Sequence, residues 1–333
     1  MRCFSNMIAA GLVRSALGLV VSAVFASFAA AQTPADYPNK PVRIVVPYGP
    51  GGIADVTMRI VADNLSKRFG QQFFIDNRPG AGGIVGMQAA LQAPPDGYTM
   101  VMIGGGLTIA KALFKHLPYD IEKDIAPVST AASYPLLLVT KADAPYKSVH
   151  DFVAAAKSHP GTINIGTINA GSTQNLSAEL FRIRTGIEVT IVPYKTTPEL
   201  ANAILRGDVQ AGVEYFAGLQ SPISNKQMTV LATTGRERPA NLREVPTMIE
   251  SGVNDYDVTS WNGLAVRQGT PEPIVKLLNG AITDALATPQ VQQFAETVGV
   301  EAHGQEPGAL RARISTDVAQ WMDVVQRAGI KRR

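Results

Sequence analysis

Val42-Arg43-Ile44-Val45-Val46-Pro47-Tyr48-Gly49-Pro50-Gly51-Gly52-Ile53-Ala54-Asp55 is the stretch on which the reading of this chain turns. A short apolar strand, 42–47, enters a glycine-rich turn, and the turn opens a helix over 55–69. Within that helix Val56, Ile60, Val61 and Leu65 recur at helical spacing, and Gly70 stops it. The first-turn amides of a helix have no intrahelical acceptor, so this order of elements makes an anion site. The turn is not a dinucleotide fingerprint, because Pro50 and the glycine spacing spoil it, and no Lys-Ser/Thr follows to make a phosphate loop. What remains is either a tight structural turn or one whose glycines let a ligand approach the backbone. Asp55 is placed to cap the first turn.

Outward from this unit, strands and helices alternate. Strands are expected at 73–76, 99–103, 163–166, 188–193, 209–213 and 229–233. Helices are expected at 84–93, 149–157, 172–185 and 198–205. The alternation predicts an α/β fold with parallel sheets covered on both faces. Residues 163–186 repeat the plan of 42–70: strand, the turn Asn169-Ala170-Gly171-Ser172-Thr173, helix, and the stop Gly186. Two segments break the rhythm. Residues 127–141 and 257–267 are long, extended and rich in β-formers, as strands crossing between two domains would be. They predict a discontinuous first domain, 32–131 with 259–333, and a second domain, 132–258. After Thr270 the chain reads as helix, with Pro271, Pro289 and Pro307 at helix starts and the helices covering the first domain.

Loops beyond the carboxyl ends of strands are where ligands sit in open α/β sheets. This singles out Gly82 in the 77–83 loop and Gly105 and Leu107 in the 104–108 loop. It also singles out Gly171, Ser172 and Thr173, whose hydroxyls either cap the helix, donate to a ligand, or do both. Thr196 and Thr197 repeat that logic before Pro198. Glu214, Tyr215 and Phe216 end a strand: the carboxylate is a candidate partner for a ligand ammonium, and the rings for an apolar body, or all three are core and solvated surface. Arg78 either pairs with a carboxylate ligand or braces its own loop, and Trp261 is core or a hinge-side wall.

Residues 1–31 read as a secretory signal: Arg2 and Arg14, an apolar run at 17–28, and Ala29-x-Ala31 as cleavage site. The run is short for a membrane span. Its removal takes away two arginines and no acid. Lys+Arg of 30 against 27 Asp+Glu becomes 28 against 27, and net charge falls from +3 to +1. The chain therefore has no basic surplus that would imply nucleic acid. Cys3, the single cysteine, goes with the signal, leaving no disulfide and no thiol nucleophile. The four histidines are scattered without metal-ligand spacing, and no Gly-x-Ser-x-Gly elbow occurs, so no catalytic constellation, metal or cofactor is expected.

Several motifs in register, Tyr37-Pro38-Asn39-Lys40-Pro41, Val46–Asp55 as quoted, Asn77-Arg78-Pro79-Gly80-Ala81-Gly82-Gly83, Pro95-Asp96-Gly97-Tyr98-Thr99, Val192-Pro193-Tyr194-Lys195 and Gly207-Asp208-Val209, resemble the Bug-type substrate-binding proteins of tripartite tricarboxylate transporters. The resemblance spans nearly the whole mature chain. It implies a two-domain, type II Venus-flytrap binding protein of the periplasm that delivers a small organic carboxylate to transporter membrane subunits. It also implies that the carboxylate is held by backbone groups of Tyr48, Gly51, Gly52, Ile53 and Ala54, with Gly171, Ser172 and Thr173 opposite. Tyr48 and Pro50 depart from the common Pro-Pro-Gly-Gly form, and Gly104-Gly105-Gly106 replaces a Ser/Thr-rich loop, which predicts fewer hydroxyls and a larger pocket. The ligand class stays open among a dicarboxylate, an aromatic acid such as terephthalate, and an acidic amino acid. Two alternatives remain beside transport: an exported enzyme acting on a carboxylate, and a ligand-carrying partner of a sensor-kinase ectodomain.

Overall fold

A computed structural model describes residues 36–51 and 53–333. The signal segment 1–31 and Gly52 lie outside the described residues. Lys40–Arg333 forms one compact unit, which holds every strand and helix described below.

The leading unit is built as its sequence dictates. Strand β1 (Val42–Val46) has Val42, Ile44, Val45 and Val46 fully buried, and helix α1 (Ile53–Phe69) follows the glycine turn. Strand β2 (Phe73–Asn77) pairs parallel to β1, with Ile44 opposite Ile75. After helix α2 (Ile84–Leu91), strand β3 (Thr99–Gly104) lies parallel on the other side of β1. Helix α3 (Gly105–Leu113) comes next, and strand β4 (Ile125–Lys141) then runs for 17 residues.

The later units are α4 (Val149–Ser158), β5 (Ile163–Ile168), α5 (Thr173–Thr185), β6 (Val189–Tyr194), α6 (Thr197–Arg206), β7 (Ala211–Tyr215), α7 (Phe216–Ser224) and β8 (Met228–Thr233). Strand β9 (Thr259–Arg267) returns, and α8 (Glu272–Leu286), α9 (Pro289–Val298) and α10 (Pro307–Arg327) complete the chain.

Strand order is β2-β1-β3-β9-β4-β7-β5-β6, with β8 also on β4. β4 changes partners along its length. Residues up to Pro135 pair with β9, and from Leu136 onward the partners are β7 and β8. Register shifts at 127/129 and 130/132 mark bulges in the β4–β9 ladder, which bend and twist a strand pair. The two long segments flagged in the sequence are thus a paired antiparallel ribbon connecting two strand groups. The core divides accordingly. Val45, Ile103, Leu107, Trp261 and Leu310 belong to one cluster, and Leu136, Phe152, Ile165, Phe181 and Tyr256 to another.

Three differences from the sequence reading have physical causes. The 104–106 glycines, read as a loop, begin helix α3, and residues after Tyr215 form helix α7 despite Pro222. Glycine runs score as turns by local propensity, but tertiary packing overrides propensity here. α10 also does more than cover the first strand group. Leu310, Ile314 and Val318 join the first cluster, whereas Trp321, Val324 and Val325 join the second. At about 1.5 Å per residue its 21 residues are long enough to span both. No helix among the described residues is long and apolar enough to cross a membrane.

Candidate functional site

The two glycine turns are built alike, and each is closed by a side chain four residues on. The Gly51 N–H donates to Asp55 Oδ2 at 2.9 Å, and the Gly171 N–H donates to Asn175 Oδ1 at 2.9 Å. Ser172 is the N-cap of α5: its Oγ accepts from the Asn175 N–H at 3.1 Å, while its own N–H donates to the Asn169 carbonyl at 2.9 Å. The amides of Gly51, Gly171 and Ser172, implied as ligand donors, are therefore spent within the protein. The first-turn amides on Thr173 and Gln174 have no acceptor among the described residues, as helix ends dictate.

Asp55 is 1% exposed and gathers the first loop. It accepts from Arg59 Nε at 2.8 Å and from Asn77 Nδ2 at 2.8 Å, and Asn77 Nδ2 also donates to the Tyr48 carbonyl at 3.0 Å. Burial pushes the Asp55 carboxyl up, but the hydrogen bonds from Arg59, Gly51 and Asn77 outweigh it and hold the pKa at about 2. Arg78 braces its own loop, with Nε 2.9 and 3.0 Å from the two Asp76 carboxylate oxygens.

A hydroxyl-rich pocket wall lies between the starts of α3 and α5. A Cβ on Gly106 would sit 3.0 Å from the Tyr48 hydroxyl, and one on Gly105 would lie 4.0 Å from Thr173 Oγ1 and 3.8 Å from Ser260 Oγ. No side chain caps the first turn of α3. Tyr215 is hydrogen-bonded by Ser260 and Thr173, and its ring meets that of Tyr134 edge-on at 5.2 Å. Tyr134 Oη donates to Asn262 Oδ1 at 3.1 Å, and Asn262 Nδ2, buried, has no partner among the described residues. Burial raises the Tyr48 and Tyr134 pKa values. Tyr215 is pushed up to about 12 by burial, against the hydrogen bonds from Ser260 and Thr173, with Glu214 and Tyr48 adding to the rise. At neutral pH all three phenols keep their protons, so the wall offers neutral donors to an anion.

The hydroxyls that Gly104-Gly105-Gly106 appeared to remove are thus supplied from elsewhere. Tyr48 reaches into the space a Gly106 side chain would need. Tyr48 itself leaves 37% of its surface exposed while its hydroxyl end is enclosed. Tyr134, Ser260 and Asn262 escaped sequence reasoning. Their signal was the β4–β9 pairing, Tyr134 opposite Ser260 and Ala132 opposite Asn262, which puts all of them on one face of the crossover ribbon.

The other candidates fall in two places. Glu214 is 1% exposed, and its carboxylate accepts from Gln174 Nε2, Thr197 Oγ1 and the Tyr215 N–H, each at 2.8 Å. Those bonds occupy the group proposed for a ligand ammonium. A small cavity of about 120 Å³ joins Thr197, Glu214, Tyr215 and Phe216 to 298–300, and Phe216 packs where a Gly299 side chain would stand, at 2.8 Å. Gly82, Leu107 and Thr196 serve the scaffold. Gly82 has φ 66°, Leu107 is 1% exposed and meets the would-be Cβ of Gly83 at 2.9 Å, and Thr196 caps α6 by accepting from the Glu199 N–H at 3.4 Å. Trp261 is fully buried and donates Nε1–H to Asp317 Oδ2 at 2.7 Å. Backbones of Ile53 and Ala54 form the first turn of α1.

Glu214→Gln is expected to lower stability by about 1–2 kcal/mol, because one of three buried donors then faces an NH2 group. Urea unfolding measures this, and an unchanged midpoint would return Glu214 to the list of ligand contacts.

Two strand groups joined by a crossover ribbon, with helix starts meeting beside it, define a two-domain fold of the periplasmic binding-protein class. The chain matches the tripartite tricarboxylate transporter family receptor over residues 57–330, and it belongs to that family. Protein BugT of Bordetella pertussis is 31% identical over 318 residues, 94% of this chain and 98% of BugT. Among solved structures, the R. palustris protein Rpa4515 with adipate is 32% identical, with a TM-score of 0.74 over 89% of this chain and 99% of its own. A TctC solute-binding protein from Polaromonas superimposes with a TM-score of 0.79 at 27% identity, covering 87% and 99% of the two chains. MatC from Rhodopseudomonas palustris with bound malate gives a TM-score of 0.69 at 29% identity, over 87% and 100%.

Proposed function

We propose that this protein is a periplasmic solute receptor, exported by a signal cleaved after Ala31, that captures a small aliphatic dicarboxylate for the membrane subunits of a tripartite tricarboxylate transporter. The observation that carries this reading is the convergence of two helix starts on one wall of neutral donors: the would-be Cβ of Gly105 lies 4.0 Å from Thr173 Oγ1, and Tyr48, Tyr134, Tyr215, Ser260 and Asn262 surround them. Oriented amides and hydroxyls bind carboxylate without a buried cation. The arginines nearest the first loop are committed, Arg59 to Asp55 and Arg78 to Asp76. Family members of similar fold hold adipate and malate, which favours an aliphatic diacid over terephthalate or an acidic amino acid. On this reading the lobes 32–131 with 259–333 and 132–258 close about the β4–β9 ribbon, and the closed form is what the permease meets. Capture rather than turnover is the role that fits, since the pocket wall carries no nucleophile beside a base.

Thermal-shift screening against mono-, di- and aromatic carboxylates tests the reading, because a ligand that binds the native state raises Tm with its occupancy. A C4–C6 diacid is the expected hit. No shift with any carboxylate, or turnover of one that binds, would sink it. Tyr215→Phe is expected to weaken the best diacid by about tenfold or more, as loss of one hydrogen bond to a charged group does, with calorimetry as the measurement. An unchanged Kd would remove Tyr215 from the site.

A further inference from the structure

The crossover ribbon has a second face. Side chains alternate along a strand, so if Tyr134, Ser260 and Asn262 face the pocket wall described above, Ser133, Pro135, Thr259 and Trp261 face away from it. Behind that other face is a cavity of about 600 Å³, a size that suits a small-molecule ligand. Ser133, Pro135 and Thr259 form one wall, α10 supplies Arg313, Asp317 and Trp321, and the segments 235–237 and 255–258 close the rim.

Two buried polar groups in this lining have no partner among the described residues: Ser133 Oγ, in a residue 3% exposed, and Trp321 Nε1, in a residue 4% exposed. Leaving such groups unsatisfied is costly, and native proteins rarely do so without a ligand or water to meet them. The indole N–H is only a donor, so whatever meets it carries an acceptor. Arg313 stands on the same helix. Its Nη2 donates to the Thr259 carbonyl at 2.9 Å and its guanidinium lies 5.5 Å from the Trp261 ring. No carboxylate among the described residues comes within ion-pair distance of it, so this end of the cavity is cationic and donor-rich.

The other end is acidic. Glu237, Asp255 and Glu301 line the cavity without an ion pair among the described residues, and Asp257 has only Arg236, at 3.3 Å. Asp317 is occupied by the Trp261 N–H. A plain dicarboxylate would meet these unpaired carboxylates and be repelled, and a plain diamine would leave the Trp321 and Ser133 donors unmet. A metal ion is disfavoured as well, since no group of three or more His, Cys, Asp or Glu among the described residues is arranged to hold one.

We infer that this cavity is a second ligand site, separate from the pocket wall on the opposite face of the ribbon, and that it takes a zwitterionic amino acid: carboxylate toward Ser133, Arg313 and Trp321, ammonium toward the acidic rim. Its polarity distinguishes it from the first site, which has donors alone. The inference does not depend on which carboxylate the first site holds.

Calorimetry of the mature chain with L-glutamine and L-arginine, and with glutarate and putrescine as singly typed controls, tests it. At least one amino acid is expected to bind and both controls to fail here. Ser133→Ala and Trp321→Phe are each expected to weaken that amino acid about tenfold, whereas Tyr215→Phe leaves it unchanged. Because each removes a group that has no partner in the free protein, Ser133→Ala should leave the Tm of the unliganded protein unchanged or raise it, so a folding defect is separable from a lost contact. Binding of neither amino acid, binding of putrescine or glutarate that Ser133→Ala weakens, or amino-acid binding lost with Tyr215→Phe instead, would overturn the assignment. If the amino acid binds as expected while no diacid does, the first site's reading fails and this one stands.

Discussion

Asp55→Ala is expected to lower stability by about 3 kcal/mol and to weaken binding of any diacid at the first site by more than tenfold. The alanine leaves the Gly51 N–H, the Arg59 Nε and one bond of Asn77 Nδ2 without their acceptor, and Asn77 in turn loses its hold on the Tyr48 carbonyl. The loop that carries Tyr48 to Gly106 is then free to shift. The pH dependence supplies an independent readout. Asp55 has its folded pKa lowered from 3.8 to about 2. The unfolded state therefore binds the proton first, and the stabilisation is complete above pH 4, lost as pH falls through the folded value near 2. It amounts to at most about 2 kcal/mol, because Arg59 is half exposed and screened. Urea midpoints for wild type and variant should thus converge between pH 4 and 2. Parallel profiles across that window would show that Asp55 is not the anchor.

Gly104→Val is expected to cost about 3 kcal/mol or more and to abolish ligand binding. Gly104 has an extended φ of −172°, so its backbone suits any residue, and the demand for glycine comes from space alone. A Cβ there would lie 2.6 Å from the Trp261 carbonyl oxygen and 3.1 Å from Asn262 Oδ1. The first of these is backbone in the crossover ribbon and has no rotamer into which to retreat. Relief requires β3 to part from β9 where Gly104 faces Asn262, which moves the start of α3 away from Thr173 and Ser260. A denaturation midpoint equal to wild type would refute the close approach.

Both residues were visible before the fold was, but for different reasons. Asp55 follows a glycine turn at a helix start, where a short carboxylate finds amides within three or four residues, and local geometry suffices to assign it. The echo between the 42–70 and 163–186 units was also legible, and Gly51 with Asp55 and Gly171 with Asn175 close their turns in the same way. The glycines at 104–106 were legible only as a turn. Their requirement is set by Trp261, Asn262 and Tyr48, which lie far along the chain and enter no local pattern. The same holds for the commitment of Glu214 to Gln174 and Thr197, whose sequence separations of 40 and 17 residues hide the pairing.

The amino-acid order by itself determined the alternation of strands and helices, the two capped glycine turns, the paired crossover segments and the family, because each is written in periodicity or in residues a few positions apart. Only the tertiary structure decided which amides remain unspent, that Tyr48, Tyr134, Tyr215, Ser260 and Asn262 share one wall, and that the ribbon's reverse face borders a polar cavity. Those facts depend on strand register and on which remote elements meet, and a register is fixed by the packing of whole faces rather than by any short run of residues.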